Sequence, residues 1–368
     1  MIIATIVIMG CLVSISAALP GCFLLLRRMA MMSDAISHSI LLGIVLMFFA
    51  VKTIHSPLLI LAATLTGLVT VTFTEYLVAS NHLKKDAAIG LIFPLFFAIA
   101  IILINMYASS IHLDQDSVIL GEIALTPFER LIIYNHDMGP LGLWTMGTIT
   151  LINCIFIGLF YKELKISTFD PQLSTSMGFN AKWLHYALMS CVSITCVGAF
   201  NSVGTILIVA LMITPPATAY LLTHRLAHMI IYSVLIGCLS ALIGTLLAIS
   251  TDTSISGSIC TIAGLFFFGA FLISPRNGVI QRMYMHNQNT IEFCAILLTI
   301  QLLHHQNDPH DMFETTMRNV TEHMQWSEVF TKKVIAYALD RDYIFATLDH
   351  YGLTPFGVEI AKRAIKSS

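Results

Sequence analysis

Charge is what this chain most lacks. Only 11 % of its 368 residues are Asp, Glu, Lys or Arg, whereas 57 % are hydrophobic and the mean hydropathy is +0.82. Soluble globular domains run near ~25 % charged, so a soluble enzyme is excluded and a polytopic membrane protein is implied. No Gly-Lys pair occurs anywhere, and hence no Gly-x-x-x-x-Gly-Lys-Ser/Thr loop that would cradle nucleotide phosphates. Any ATP-driven work has to come from another subunit. No Lys/Arg cluster suggests a nucleic-acid surface, and the formal net charge of −2 argues against an acidic polymer as partner. Cys-x-x-Cys pairs are missing too. Seven of the eight cysteines (Cys11, Cys22, Cys154, Cys191, Cys196, Cys238 and Cys260) fall in apolar segments and read as buried, reduced packing residues rather than a disulfide or zinc framework. Finally, no positive residue precedes the apolar core of Met1 to Leu26, and Arg27-Arg28 follow it. That is the reverse of a secretory peptide's charge order, so the segment reads as a first transmembrane helix.

Apolar stretches of spanning length occur at about 2–26, 30–51, 58–79, 87–106, 142–161, 202–222, 229–249 and 257–274, with a shorter one at 185–200. The segments flanking Asn201 fit either two tilted spans or two half-helices meeting in the membrane. The count is therefore eight or nine. With 185–200 as a span, Arg27-Arg28, Lys84-Lys85, Lys162, Lys165, Lys182, Arg225 and Arg276 all fall on alternate loops, with Lys52 and Arg130 as exceptions. The positive-inside rule makes those loops cytoplasmic, places the N-terminus outside, and favours nine.

Within the second span, Asp34 and His38 stand four residues apart in an otherwise greasy run. Side chains at i and i+4 share a helix face. An ionisable group in a span faces a bundle interior or a pathway and has a partner, and here the partner is on the same face. A helix running from Arg28 to His38 would rise ~15 Å, placing the pair near mid-depth. Carboxylate and neutral imidazole suit manganese, iron or zinc. A lone intrahelical hydrogen bond and a proton relay are the other readings of this spacing.

Several segments together resemble the permease subunits of the zinc/manganese/iron ABC importer family. They are Arg27 to Gly43, Glu75-Tyr-Leu with Lys84-Lys85-Asp86-Ala-Ala-Ile-Gly90, Phe169-Asp-Pro-Gln-Leu-Ser-Thr-Ser-Met-Gly178, Val203 to Thr218, and Ser274-Pro275-Arg276. The resemblance covers about residues 1–280. It implies a homo- or heterodimer of permeases, a pair of cytoplasmic ATP-binding subunits, and an extracytoplasmic metal-binding protein that delivers the ion, all at the inner (cytoplasmic) membrane of a bacterium. It assigns Asp34 and His38 to the intramembrane metal site, so that two protomers would supply two carboxylates and two imidazoles. No cofactor is held permanently; the divalent ion is cargo, with manganese ahead of zinc and iron. The resemblance also makes Phe169 to Gly178 the segment that couples to the ATPase. There Asp170 fits an N-cap, Pro171 the first helical position and Gly178 a stop, while Leu173 and Met177 share a face.

Other features carry less. Pro215-Pro216 lie late in a span rich in small residues and fit either a bend near the pore or a static kink. Glu75 reads as an interfacial charge, and the cluster His112, Asp114 and Asp116 as a solvated acidic loop. Residues 276–368 differ in character: they hold nine Lys/Arg and ten Asp/Glu, nearly as many as the rest of the chain. Helical stretches near 289–305, 326–330 and 331–341 precede Tyr343 to Gly357 and a final helix through Lys366. The Leu353-Thr-Pro-Phe-Gly357 element resembles the wing of winged-helix metalloregulators. With one more acid than base, this tail lacks the positive charge that neutralises phosphates, so no nucleic acid is expected as partner. Its six histidines, His286, His304, His305, His310, His323 and His350, permit a metal-sensing role, with scattered surface residues as the plainer reading.

The expected fold is an all-α polytopic membrane protein with a permease domain over 1–275 and a small α+β winged-helix-like cytoplasmic tail over 276–368. The expected function is ion translocation by alternating access, with membrane lipid around the spans and no covalent chemistry in this chain. Two rivals remain: an ATP-independent secondary metal transporter, which would usually show internal hydropathy repeats, and a membrane-tethered metal-responsive regulator, against which the tail's charge speaks.

Overall fold

The computed structural model describes residues 2–52, 57–80, 83–107, 123–133, 136–274, 278–305, 320–322, 324–347 and 351–367. The chain falls into two compact units, Met1–Ser274 and Pro275–Ser368.

The first unit is helical because hydrocarbon offers the backbone no hydrogen-bonding partners, so each span must satisfy its own N–H and C=O groups. In chain order it holds α1 (Ile2–Leu26), α2 (Met31–Val51), α3 (Pro57–Ala79), α4 (Lys85–Tyr107), a small hairpin β1 (Arg130–Ile133) and β2 (His136–Pro140), α5 (Leu141–Leu159), α6 (Tyr161–Phe169), α7 (Pro171–Ser176), α8 (Ala181–Leu222), α9 (Leu226–Thr251) and α10 (Ile255–Ile273). Among the described residues, nine helical segments are long and apolar enough to cross a membrane, two of them in α8 at Ala181–Phe200 and Ser202–Leu222.

Those two segments meet at Gly204, whose φ of 79° and ψ of 166° are not helical. The chain reverses there. Arg27 meets His185 and Ser16 meets Thr195, so the first half climbs beside α1, yet Gly21 then lies against Met212 and Pro216. Two spans rather than two half-helices account for these pairings. The break falls at Gly204 and not at the prolines: Pro215 packs toward Gly237 and Pro216 against Gly21. A positive φ costs glycine little, whereas it would strain a side chain.

Helix contacts rely on small and hydroxyl-bearing residues, the usual means of association where no hydrophobic drive separates helix from lipid. Ser14 Oγ donates to Gly237 O at 3.1 Å, Thr150 Oγ1 to Leu12 O at 3.2 Å and Ser193 Oγ to Thr64 O at 3.1 Å. Buried Asn153 reaches Ser16 Oγ at 3.1 Å and Thr195 Oγ1 at 2.7 Å, tying α1, α5 and α8 together. Met9, Val13, Ile36, Ile40, Val192 and Leu207 form part of the core around which α1, α2 and α8 pack. Leu61, Leu65, Ile102, Leu246 and Leu265 are exposed on the periphery, where lipid would cover them.

In the second unit, α11 (Val279–His305), α12 (Glu328–Asp340), the antiparallel strands β3 (Ile344–Ala346) and β4 (Tyr351–Leu353), and α13 (Pro355–Ser367) share a core that includes Leu298, Leu302, Val334, Ile335, Tyr343 and Leu353. Two expectations are corrected. The stretches 326–330 and 331–341 are one helix, opened by Ser327, whose hydroxyl accepts from Phe330 N. The first tail helix begins ten residues earlier than 289, at Val279. Asp342, at φ 54°, makes the sharp turn from α12 into the hairpin, and Thr354 caps α13 by accepting from Gly357 N at 3.0 Å.

Glycines mark where helices approach most closely. A Cβ at Gly43 would meet Thr66 Oγ1 and the Ala62 backbone oxygen, at 2.3 and 2.7 Å, whereas one at Gly264 would meet nothing within 4 Å. Gly43→Val should therefore force α2 from α3 and destabilise the unit by ~1–3 kcal/mol or more, while Gly264→Ala should be neutral or stabilising by up to ~1 kcal/mol. Thermal unfolding of the two variants in detergent checks the contrast.

Candidate metal centre

Asp34 and His38 both lie on α2, in its first and second turns. The helix does not run on from Arg28 as the sequence suggests: Arg28 has φ 56°, and α2 starts afresh at Met31. The pair nevertheless stays near the middle of the bundle. Ile36, between the two, would touch a Cβ placed on Gly67, half-way along α3, and the Ser33 carbonyl lies 4.0 Å from Cys196 Sγ on α8. Starting the helix at Met31 also puts Asp34 in its first turn, where the positive end of the helix dipole favours a carboxylate.

His38 Nε2 lies 3.4 Å from Asp34 Oδ1, and the two side chains are 29 % and 34 % exposed. That separation is long for a good N–H···O bond. It suits two donors to one ion: tetrahedral bonds of ~2.0–2.1 Å set neighbouring ligand atoms ~3.3–3.4 Å apart, and octahedral bonds of ~2.1 Å set them ~3.0 Å apart. Phe93 stacks on the imidazole at 5.7 Å and Phe97 meets it edge-on at 5.8 Å, so α4 fixes the ring's orientation. Among the described residues no group of three or more His, Cys, Asp and Glu is placed to hold a metal. Among the described residues one chain thus offers two candidate ligands, on a partly open face.

The segment from Phe169 to Gly178 forms a short helix between two turns. Asp170 caps α7, its carboxylate accepting from Leu173 N at 2.9 Å, and Pro171 takes the first helical position, where its missing N–H costs nothing. Gly178, at φ 84°, ends it, with Phe179 N donating to Ser174 O. Phe169, Leu173 and Met177 stand 61 %, 49 % and 56 % exposed, three apolar side chains uncovered around a polar turn.

A network that the sequence reading missed joins Glu75, His185, Tyr186 and Arg27. The sequence alone marks Glu75 as an interfacial charge and gives it no link to His185 or Arg27. An acid and a histidine inside spans were the available signal. The outer cluster His112, Asp114 and Asp116 lies outside the described residues, as do His310, His323 and His350 of the tail.

A family model described as "ABC 3 transport family" matches residues 1–274. The chain is 40 % identical over 367 residues to the zinc transport system membrane protein TroD of Treponema pallidum (strain Nichols), covering 99 % of each. It is 42 % identical over 279 residues to the manganese transport system membrane protein MntD of Bacillus subtilis (strain 168), covering 76 % of this chain and 94 % of that one. Among solved structures, PsaBC from Streptococcus pneumoniae in complex with Fab superposes with a TM-score of 0.62 at 32 % identity, over 74 % of this chain and 92 % of that one. The tail is thus shared along its length with TroD, while the match to MntD takes in little beyond the first unit. By the family model, these identities and the nine spans, the chain belongs to the ABC 3 transport family, as a multi-pass membrane permease of a bacterial ABC importer.

Proposed function

We propose that this permease carries a divalent first-row metal ion, manganese ahead of zinc and iron, through a site built on Asp34 and His38. The observation that carries this reading is their 3.4 Å separation on one open face of α2, with no third ligand nearby among the described residues. An oxygen and a nitrogen donor suit these ions and not soft Cu(I). The manganese and zinc transport proteins among the relatives support the same cargo class. A second permease, identical or related, brings the matching pair, which makes two carboxylates and two imidazoles. An extracytoplasmic metal-binding protein supplies the ion to the outer face.

Energy comes from cytoplasmic ATP-binding subunits, since the chain has no phosphate-binding loop of its own. The exposed side chains of Phe169, Leu173 and Met177, on the turn held by the Asp170 cap and the Gly178 stop, are the surface those subunits engage. Alternating access then amounts to opening and closing the path on either side of the Asp34/His38 pair. The second unit reads as a winged-helix-like regulatory or assembly domain on the cytoplasmic side; Leu353 to Gly357, expected as the wing, instead ends β4 and opens α13, so that the hairpin of β3 and β4 is what remains to serve as one.

Asp34→Asn and His38→Gln each weaken one ligand at nearly constant volume, and each should cut metal uptake by more than ~10-fold while leaving the assembled complex intact. Uptake of manganese, zinc and iron in competition reads this out, and normal transport by both variants would sink the assignment.

Charging this surface with Leu173→Glu and Met177→Lys should release the ATPase from the permease, or let it hydrolyse ATP without transport. Co-purification and uptake unchanged in that double variant would count against the docking surface.

Truncation after Arg282 should leave a membrane-inserted permease that still assembles, because the first unit ends at Ser274 and MntD aligns over little more than that length. The isolated tail should bind no DNA in a salt-dependent manner. Tight, sequence-selective binding in a gel-shift would instead make it a tethered regulator.

A further inference from the structure

Four polar side chains that the metal site does not use converge at the end of the bundle where α1 and α3 finish and α8 begins. Glu75, one turn before the end of α3, contacts His185 Nε2 on α8 through Oε1, and its other oxygen accepts from the Tyr186 hydroxyl at 2.8 Å. On the far side of the ring, His185 Nδ1 lies 3.1 Å from an Arg27 guanidinium nitrogen. The guanidinium also donates to Ser167 Oγ at 3.0 Å and Thr168 Oγ1 at 3.1 Å.

Arg27 is half-buried here, and that burial pushes its guanidinium down to about 10, which leaves it charged at neutral pH. A guanidinium has donors only, so the nitrogen it faces must be the bare one. His185 therefore carries its proton on Nε2, toward the carboxylate. Arg27 thus fixes the tautomer, and Nε2 faces the Glu75 carboxylate across a close ion-pair contact, while Tyr186 donates to the other Glu75 oxygen from α8. Lys85, at the start of α4, adds a further positive charge near Glu75.

What the chain of bonds connects is specific. Ser167 and Thr168 are in the last turn of α6, just before Asp170, the cap of α7. Glu75 is on α3, whose Ala62 and Thr66 receive Gly43 of α2 and whose Gly67 receives Ile36, between Asp34 and His38. One polar relay thus spans from the exposed turn to the helix that backs the metal pair.

We propose that the Arg27–His185–Glu75 chain is a transmission latch that passes movement of α7 to α3 and so to the Asp34/His38 face. These are positioning residues that touch neither ion nor nucleotide, and the latch rests on the reading of α7 as the ATPase-engaging element. Short polar contacts of this kind, each with one charged partner, are made or broken rather than stretched, which gives the relay two discrete arrangements.

The test uses the full permease assembled with its ATPase in proteoliposomes, with manganese or zinc chloride as the probe, and measures ion uptake and ATP hydrolysis separately. Glu75→Gln and His185→Leu should keep ATP hydrolysis but lower the ions moved per ATP by about tenfold. The double variant should be no worse than either alone, because both break one chain. His185→Gln, which offers Arg27 an oxygen and Glu75 an N–H, should recover much of the ratio, which a purely packing role for the ring would not allow. Unchanged ions per ATP in both single variants would overturn the latch, and so would additive losses with no recovery by His185→Gln. A Leu173→Cys cross-link to the ATPase separates the two readings. Cross-linking kept in Glu75→Gln while transport is lost supports the latch, whereas no cross-link in the otherwise unaltered chain would overturn the docking surface and the latch with it.

Discussion

Ionisable groups inside an apolar bundle must be paired, and this structure depends on how that requirement is met. Leaving a carboxylate bare among helices costs several kcal/mol, so its position dictates which neighbours it has. The first unit meets the requirement twice with the same chemistry, an acid beside an imidazole. Asp34 and His38 are paired within one helix and remain partly open, whereas Glu75 and His185 join two helices and have their remaining valences taken by Tyr186 and Arg27. The first pair can therefore accept a ligand that the second cannot. Nδ1 of His185 faces a permanent donor in Arg27, so the proton of that imidazole sits on Nε2, toward Glu75.

The surroundings follow from the same economy. Where α1, α5, α8 and α9 touch, hydroxyls and a single asparagine supply hydrogen bonds, and glycines supply proximity. These contacts are individually weak in a membrane, on the order of 0.6 kcal/mol each. A bundle held by many weak contacts can shift one helix against another without losing its fold. Alternating access needs that property, and a bundle crossed by several buried ion pairs would resist it.

How much of this was legible in the sequence depended on chain separation. Asp34 and His38 were readable because four residues on a helix fix a shared face. The Asp170 cap, the Pro171 start and the Gly178 stop were readable because capping is local chemistry. The spans were legible from hydropathy, and the positive loops favoured nine. Glu75 and His185 were not connected, because 110 positions lie between them and only the packing of α3 on α8 brings them together. The prolines at 215 and 216 were the obvious helix breakers, yet the reversal occurs at Gly204: in the membrane, neighbouring groups can compensate for a missing proline N–H, while a chain reversal needs a backbone conformation that glycine tolerates. The second span was legible at 30–51, within a residue of its start at Met31, but the turn at Arg28 was not, because Arg28 adopts a positive φ that its residue type does not advertise.

An incomplete coordination sphere is what a carrier of metal ions requires. A site with four thiolates or imidazoles from one rigid chain would hold its ion too tightly to release it, and conduction demands binding that is strong enough to admit the ion and weak enough to let it leave. In the proposed site, two ligands per chain, on a face backed by α3 and steadied by Phe93 and Phe97, would put the remainder of the affinity on a second permease. Affinity then varies with the separation of the two chains. A relative displacement of an ångström or so lengthens metal–ligand bonds well beyond ~2.1 Å and frees the ion without any side chain having to change its protonation or rotamer. On this view the ATPase does not act on the ion directly. It sets the distance between two half-sites, and the helices that carry them, α2 backed by α3, are the ones that the polar relay ties to α7.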